Sequence, residues 1–544
     1  MDSKVDPEAM EPGSLEKAMS NTAGEISLDR NNQLERGLKS RHIQFLALGG
    51  AIGTGLFIGS GSILATVGPA PLFMAYVSMM FVVYVVMNDL GEMVTYLPLR
   101  GISIPYFVAR FLDPSLAFAM GYNYWYAYAM LVAAEVTAGA IIIQYWTEAV
   151  PVAVWIAIQL VVILLLNIIA VSYFGEAEFW FASIKLITIM GLIILGFVIM
   201  LGGGPNHQRT GFWYWEEPGA FVPYLVAPGP TSRFLAYWTA VIKAGFAFIT
   251  SPELIALSAG ETVAPRRNIP KAARRFVWRL AAFYGLGSLI IGVIVPSDEP
   301  RLLSGASDAS ASPFVLGIQR AGIGGLNHAI NAAVLTSAWS AGNAFCYSGS
   351  RILYSMAING QAPAFFGKTT KRGVPWAAVL VTLGFGCLGF LNVSNSGATV
   401  FAWFTNISTI SGFIAWVVIL ITYLRFRKAM SYNGMLGSLP FRTPLQPYAT
   451  WFVLAFISLL TLTNGYPVFF PSRWNVSDFL AAYVTLPIFL ALYVGHKIFR
   501  RTRLCIPVED VDVLTGKKEM DELEALDEPP IPKNWLEKVW FWIA

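Results

Sequence analysis

The sequence predicts an all-α polytopic membrane protein with twelve transmembrane helices, and three observations carry that prediction. Of 544 residues, 56% are hydrophobic and only 13% are charged, where a soluble globular domain carries about 25% charged residues. Apolar runs able to cross a bilayer, which needs roughly 20 residues, recur along the chain. No segment between them exceeds about 45 residues, too short for an independent domain without staples.

The twelve apolar cores lie at about 43–67, 70–96, 117–144, 151–171, 178–201, 236–259, 277–295, 326–355, 376–391, 399–424, 450–470 and 477–499. Ahead of them, residues 1–42 are polar, mixed in charge and read as a disordered tail. No cleavable signal peptide is expected, because the first apolar run is too long and too rich in glycine. Lys and Arg collect at one set of span ends, such as Arg36, Lys39 and Arg41, Arg266 to Arg275, Arg425 to Lys428 and Lys497 to Arg503. The other set holds mainly Arg209, Arg233, Arg301, Arg320 and Arg473. The positive-inside rule then puts both termini in the cytoplasm. The short connection between spans four and five is an exception and offers Glu176 and Glu178 instead.

In the outer connection 202–235, GFWYWEEPG reads as an interfacial aromatic anchor, and 296–312 as a solvated loop. The sequons at Asn392 and Asn475 lie too close to the membrane to be expected acceptors. The C-terminal tail, 501–544, is expected to end in an amphipathic helix opened by Asn534 and Glu537 and carrying Trp535, Trp540 and Trp542. Lys4, Lys17, Lys517 and Lys518 offer ubiquitin acceptors in the tails.

A soluble enzyme is excluded. There is no Walker A run, GxSxG or HExxH, and the four histidines (42, 207, 328, 496) are scattered. Cys346, Cys387 and Cys505 form neither a metal spacing nor a disulfide framework. No cofactor, metal or nucleic-acid partner is expected, and function must lie within the membrane.

Two stretches define where. The first span contains GGAIGTGLFIGSG, residues 49–61, with six glycines and Thr54 between Gly53 and Gly55. Glycine costs about 1 kcal/mol in a helix interior, so the run is a broken helix lining a ligand or, equally, a packing seam of small residues. The sixth span contains FAFITSPELIALSAGE, where Pro252 removes a backbone donor and forces a break near Thr250 and Ser251. Two interrupted helices five spans apart point to inverted five-helix repeats, about 43–201 and 236–424, with a midplane site; two further spans lie at 450–499. Amides at Gly53 to Gly55 suit a carboxylate at a half-helix N-terminus, and carbonyls from Phe248 to Ser251 suit an ammonium group. That pair of dipoles fits a zwitterion. Phe246, Trp339 and Phe401 or Phe404 are candidates to close over its side chain, or are ordinary packing.

Ionisable residues inside spans are costly and mark function by default. Glu135, Lys185, Lys243 and Glu253 lie in spans three, five, six and six; transport roles compete with structural ion pairs, and Glu135 and Lys185 lie deepest. Asp89 and Glu92, near the inner end of span two, read as snorkelling or structurally paired.

The runs GGAIGTGLFIGSG, LGEMVTYLP, GYNYWYAY, FGEAEFWFASIK, SPELIALSAGE with RRNIPKA, SAWSAGNAF and FTNISTISGF, spread over about 41–428, resemble the fungal amino-acid permeases. These are the yeast amino-acid transporter family of the amino acid–polyamine–organocation superfamily, and the chain looks most similar to its proline-specific members. The resemblance implies a LeuT-like fold and proton-coupled import of proline or small neutral amino acids across the plasma membrane. It implies substrate carboxylate at Gly53, Thr54 and Gly55, and pathway roles for Glu135, Lys243, Phe246, Ser251 and Trp339. It also implies that Lys185 lies near the sodium position of sodium-coupled relatives, where its ammonium replaces the cation and serves proton coupling; Glu253 is the second candidate for coupling, equally a structural tie. Where many members read Phe-x-Gly-Thr-Glu, this chain reads Ile249-Thr250-Ser251-Pro252-Glu253, in the region that meets the ammonium group and side chain. A nutrient sensor and a proton-independent exchanger are the alternatives on the same scaffold.

Overall fold

The computed structural model describes residues 53–98, 104–169, 171–253, 265–303, 312–518, 521–522 and 534–535. The N-terminal tail, residues 43–52 of the first expected span, residues 254–259 of the sixth and nearly all of the expected C-terminal helix lie outside them. The described residues form helices and connections, with no strand.

The main helices are α1 (Gly55–Val67), α2 (Pro69–Tyr96), α3 (Ile104–Phe111), α4 (Pro114–Gln144), α5 (Val152–Ile169), α6 (Val171–Met200), α7 (Pro230–Phe248) and α8 (Pro265–Ile294). They continue as α9 (Pro313–Arg320), α10 (Leu326–Ile358), α11 (Trp376–Gly386), α12 (Gly397–Tyr432), α13 (Tyr448–Leu462), α14 (Val476–Tyr483) and α15 (Thr485–Arg500). Among the described residues, seven helices are long and apolar enough to cross a membrane, and an eighth if α14 and α15, bent by 42° at Val484, count as one. The remaining expected spans coincide with α1, α5 and α13, which are shorter, and with α10, which is long but rich in Ser and Asn.

Local sequence explains the helix starts. Gly68 turns the chain between α1 and α2 at φ +94°, where a Cβ would lie 2.8 Å from the Ala220 carbonyl oxygen. Pro69 then occupies a first-turn position of α2, which needs no amide donor. The side chain of Asp113 caps α4 by accepting the Ser115 amide at 2.9 Å, and Asn475 caps α14 in the same way at 2.8 Å.

Helix α4 is the central post, buried along nearly all its length and packed most extensively on α10 and α12. Small residues make that possible: Gly342 of α10 faces the Glu135 Cβ, and Gly349 faces the Tyr128 Cβ. The opposite pattern appears at the periphery. Val154, Ile158, Val161 and Leu165 on α5, and Ile187, Met190, Ile194 and Phe197 on α6, are exposed at three- and four-residue spacing. Such apolar stripes on the outside of a helical bundle are surfaces for lipid.

Beyond α15 the chain runs back across one end of the bundle. Val511 and Val513 are buried there, the Tyr96 hydroxyl donates to the Val513 carbonyl at 2.8 Å, and Arg110 pairs with Asp512 at 3.1 Å. Arg266, at the start of α8, pairs with Asp521 at 2.6 Å.

Candidate functional site

The two interrupted stretches meet. The described part of span one bends at Gly53, continues as a π-helical turn from Gly55 to Gly59 and only then becomes α-helical at Ser60. Such wide turns are rare and frequent at functional sites. Helix α7 ends at Phe248, and Thr250 follows in the left-handed region at φ +65°. A Cβ on Gly55 would lie 2.7 Å from the Ala247 Cα, so the backbones of α1 and α7 touch where both are irregular. Tyrosines satisfy the carbonyls left beside the junction. The Tyr76 hydroxyl donates to the Gly55 oxygen at 3.2 Å, and the Tyr284 hydroxyl to the Ala247 oxygen at 3.0 Å. The Thr250 hydroxyl donates to the Ile249 oxygen at 2.6 Å and the Ser251 hydroxyl to the Phe248 oxygen.

Glu135 belongs to this junction. Its Oε1 accepts the Thr54 hydroxyl at 2.9 Å and lies 3.6 Å from where a Gly53 Cβ would be, while its Oε2 is buried without a hydrogen-bond partner. Lys185, 1% exposed on α6, acts electrostatically on Glu135 and more strongly on Glu178. Gly53, Thr54, Gly55, Glu135 and Lys185 therefore form one neighbourhood, with Trp339 on α10 beside Ser340, which binds Glu178. The Trp339 indole nitrogen is buried and has no hydrogen-bond partner.

Other expected site residues make contacts of their own around it. Glu253 is fully buried, its Oε1 accepting from the Tyr124 hydroxyl at 3.0 Å and the Trp416 indole at 2.7 Å, so it ties α4, α7 and α12 together. Lys243 donates to Thr66 at 3.2 Å, one turn and more before the break. Phe246 meets Phe401 edge-to-face at 5.7 Å, in a cluster with Phe404, Met130, Ala133 and Ala134. Phe248 faces away: its ring is completely buried between Tyr76 and Tyr284, with centroids at 5.5 and 4.6 Å. Only its backbone carbonyl remains toward the break.

Hydropathy assigns Glu178 to a loop; the structure places it inside α6, 1% exposed, with Oε1 accepting the Ser340 hydroxyl at 2.7 Å. The motif FGEAEFW contains the signal, since a helix entered at Val171 carries Glu178 and Lys185 on one face, seven residues apart. Asp89 and Glu92 do not snorkel. Both are fully buried: Asp89 accepts from Gln446 and Thr450, and Glu92 from Tyr423 and Thr443 with Arg427 at 3.4 Å, locking α2 to α12 and α13.

Chemically, the junction offers irregular backbone for a small polar ligand, an unsatisfied carboxylate oxygen for a cation, and aromatic rings for an apolar side chain. The chain matches the amino acid permease family over residues 42–505. It is 60% identical to a proline-specific permease of Emericella nidulans over 523 residues, 95% of each chain. It is 56% identical to a probable proline-specific permease of Schizosaccharomyces pombe, covering 91% of this chain and 90% of that one. Identity to a proline-specific permease of Saccharomyces cerevisiae is 52%, over 92% of this chain and 82% of that one. On a match of this extent, the chain belongs to the amino acid permease family and is a membrane transport protein.

Proposed function

We propose that this chain is a proton-coupled symporter importing proline across the plasma membrane by alternating access, on a LeuT-like scaffold of twelve spans with both termini cytoplasmic. The observation that carries the reading is the 52–60% identity to proline-specific permeases over nearly the whole chain. The meeting of the α1 and α7 irregularities supports where the substrate binds. Its carboxylate is received by the amides of Gly53, Thr54 and Gly55. Its secondary ammonium lies toward the carbonyls of Phe248, Thr250 and Ser251 and the free Oε2 of Glu135. Phe246, Phe401, Phe404 and Trp339 close over the pyrrolidine ring, and Lys243 lines the pathway. Lys185 takes the role of the coupling cation in sodium-driven relatives. Glu253 serves as a structural tie in this reading, although its Oε2, like that of Glu135, is buried without a hydrogen-bond partner. Moving one charge across 100 mV is worth about 2.3 kcal/mol, so proton symport adds the membrane potential to the pH gradient as a driving force.

The test is uptake of labelled proline into proteoliposomes under an imposed pH gradient, with competition by each of the other amino acids. Proline accumulation accompanied by proton entry is expected, with competition confined to small neutral amino acids. Equal competition by lysine or glutamate would overturn the substrate assignment, and uptake without proton entry would overturn the coupling.

A further inference from the structure

We propose that Glu178 sets the proton requirement of transport, because it gives the buried cluster at the junction one carboxylate more than it has ammonium groups. The inference rests on the symport reading above. Two helices supply the cluster. Glu178 and Lys185 lie two turns apart on α6 and are each 1% exposed, and Glu135 on α4 is 3% exposed. Each carboxylate is anchored through one oxygen to a different partner: Glu135 to Thr54 at the break of α1, Glu178 to Ser340 on α10. The other oxygen of each, Oε2, is buried without a hydrogen-bond partner. Among the described residues, Lys185 is the charge acting on both carboxylates, and Tyr284 of α8 is the further titratable group that senses Glu135.

The charge arithmetic follows. Two carboxylates and one ammonium give −1, and a zwitterionic substrate adds zero. A site closed from water does not tolerate an uncompensated charge. The loaded site therefore closes once one proton, taken from the outer solution, has bound the free Oε2 of Glu178, that of Glu135 facing the substrate ammonium. That proton leaves on the inner side with the substrate, and no other bond changes. One proton accompanies one zwitterion because the cluster is short of one positive charge. Removing the negative charge of Glu178 makes the loaded site neutral without a proton.

The experiment compares purified wild type and Glu178→Gln in proteoliposomes, measuring proline counterflow and protons entering per proline. For Glu178→Gln we expect counterflow at a reduced rate, a proton-to-proline ratio falling from one to zero, loss of accumulation driven by a pH gradient, and counterflow equal at acidic and alkaline pH. The double variant Glu178→Gln/Lys185→Gln restores −1 and is expected to regain a pH-dependent counterflow. Glu178→Asp keeps the charge and is expected to keep the ratio. These variants decide the matter if the single variant does not fold: a ratio of zero in Glu178→Asp overturns the proposal. So does a ratio of one, with the wild-type pH profile, in Glu178→Gln. If wild type itself takes up proline without proton entry, the symport reading fails first, and the two failures are told apart by that control.

Discussion

Thr250 sits at φ +65°, in a region that β-branched residues rarely occupy and that costs an L-residue roughly 1–2 kcal/mol. Its hydroxyl offsets part of that cost by donating to the Ile249 carbonyl at 2.6 Å. Thr250→Val keeps the strain, deletes the hydrogen bond and leaves a buried carbonyl with one partner fewer, so it should destabilise by about 1–3 kcal/mol. Thr250→Gly deletes the same hydrogen bond and adds glycine's entropic cost of about 0.5–1 kcal/mol, but it relieves the strain that Thr250→Val keeps. Thermal unfolding in detergent should therefore rank both variants below wild type, with Thr250→Val the lower of the two; the reverse order between them would show that the left-handed backbone is not strained. The opposite constraint holds at Gly55. An alanine there meets the Ala247 Cα and Cβ at 2.7 and 2.8 Å, and a backbone atom cannot rotate away. Gly55→Ala should cost about 1–3 kcal/mol of stability through overpacking and abolish proline uptake. A variant with wild-type stability and uptake would show that the junction can widen.

At the scale of elements, the segment after α15 acts as a strap over the ends of α2, α3 and α8. Arg110 holds it in three ways: Nε to the Asp512 carbonyl at 2.7 Å, Nη2 to the Thr515 carbonyl at 2.8 Å, and an ion pair to the Asp512 carboxylate. Partial burial works against the Asp512 carboxylate, but the Thr515 and Leu514 amides and the Arg110 guanidinium outweigh it and hold its pKa below the ordinary 3.8. Asp521 is held below the same value chiefly by hydrogen bonds from Lys517 and Arg266. A depressed carboxylate pKa contributes stability that is present above the ordinary value and is lost as pH falls through the depressed one. Protease cleavage after residue 505 should thus accelerate as pH drops below the ordinary carboxylate range, and Arg110→Ala should show that fast cleavage already at neutral pH. An unchanged cleavage rate in Arg110→Ala would mean that Val511 and Val513 alone hold the strap. Hydropathy cannot foresee this element, because its apolar anchors are two valines spaced by one residue within a charged tail. The same limit explains Glu178, which a hydropathy boundary leaves in a loop although helical hydrogen bonding carries it inside. What composition does reveal is where helices fail. Glycine and proline break helices by their own covalent structure, so Gly53, Gly55 and Pro252 mark the junction without any tertiary information. Aromatic roles are less legible, since Phe246 and Phe248 differ by two positions in sequence yet point into different clusters.

At the scale of the whole molecule, contacts between connections constrain how the chain threads a membrane. Tyr96 and Arg110 from the α2–α4 connection and Arg266 from the start of α8 are joined to one another by Asp512, Val513 and Asp521 of the strap. Thr443 and Gln446, from the α12–α13 connection, join that end through Glu92 and Asp89. At the other end, Arg320 binds Glu299 at 2.7 Å and its carbonyl accepts from Asn206 at 3.1 Å, while the turn at Gly68 meets Ala220. Groups in direct contact outside the membrane lie on the same side of it, so every stretch joining them crosses an even number of times. Helices α4 to α7 make four crossings and α7 to α8 two; α8 to α15 make six when α14 and α15 count as one. The proposed twelve-span path satisfies all three parities at once, and the Lys and Arg excess at the strap end agrees with the proposed cytoplasmic placing of that end. The prediction uses Cys505, which is exposed beside the strap, in a Cys387→Ser background that removes the other exposed cysteine. In sealed right-side-out vesicles a membrane-impermeant maleimide should leave Cys505 unlabelled until the membrane is opened. Gln208→Cys, exposed in the opposite connection, should label at once. Labelling of both from one side would overturn the proposed threading, which puts an odd number of crossings, those of α7 to α15, between residues 208 and 505.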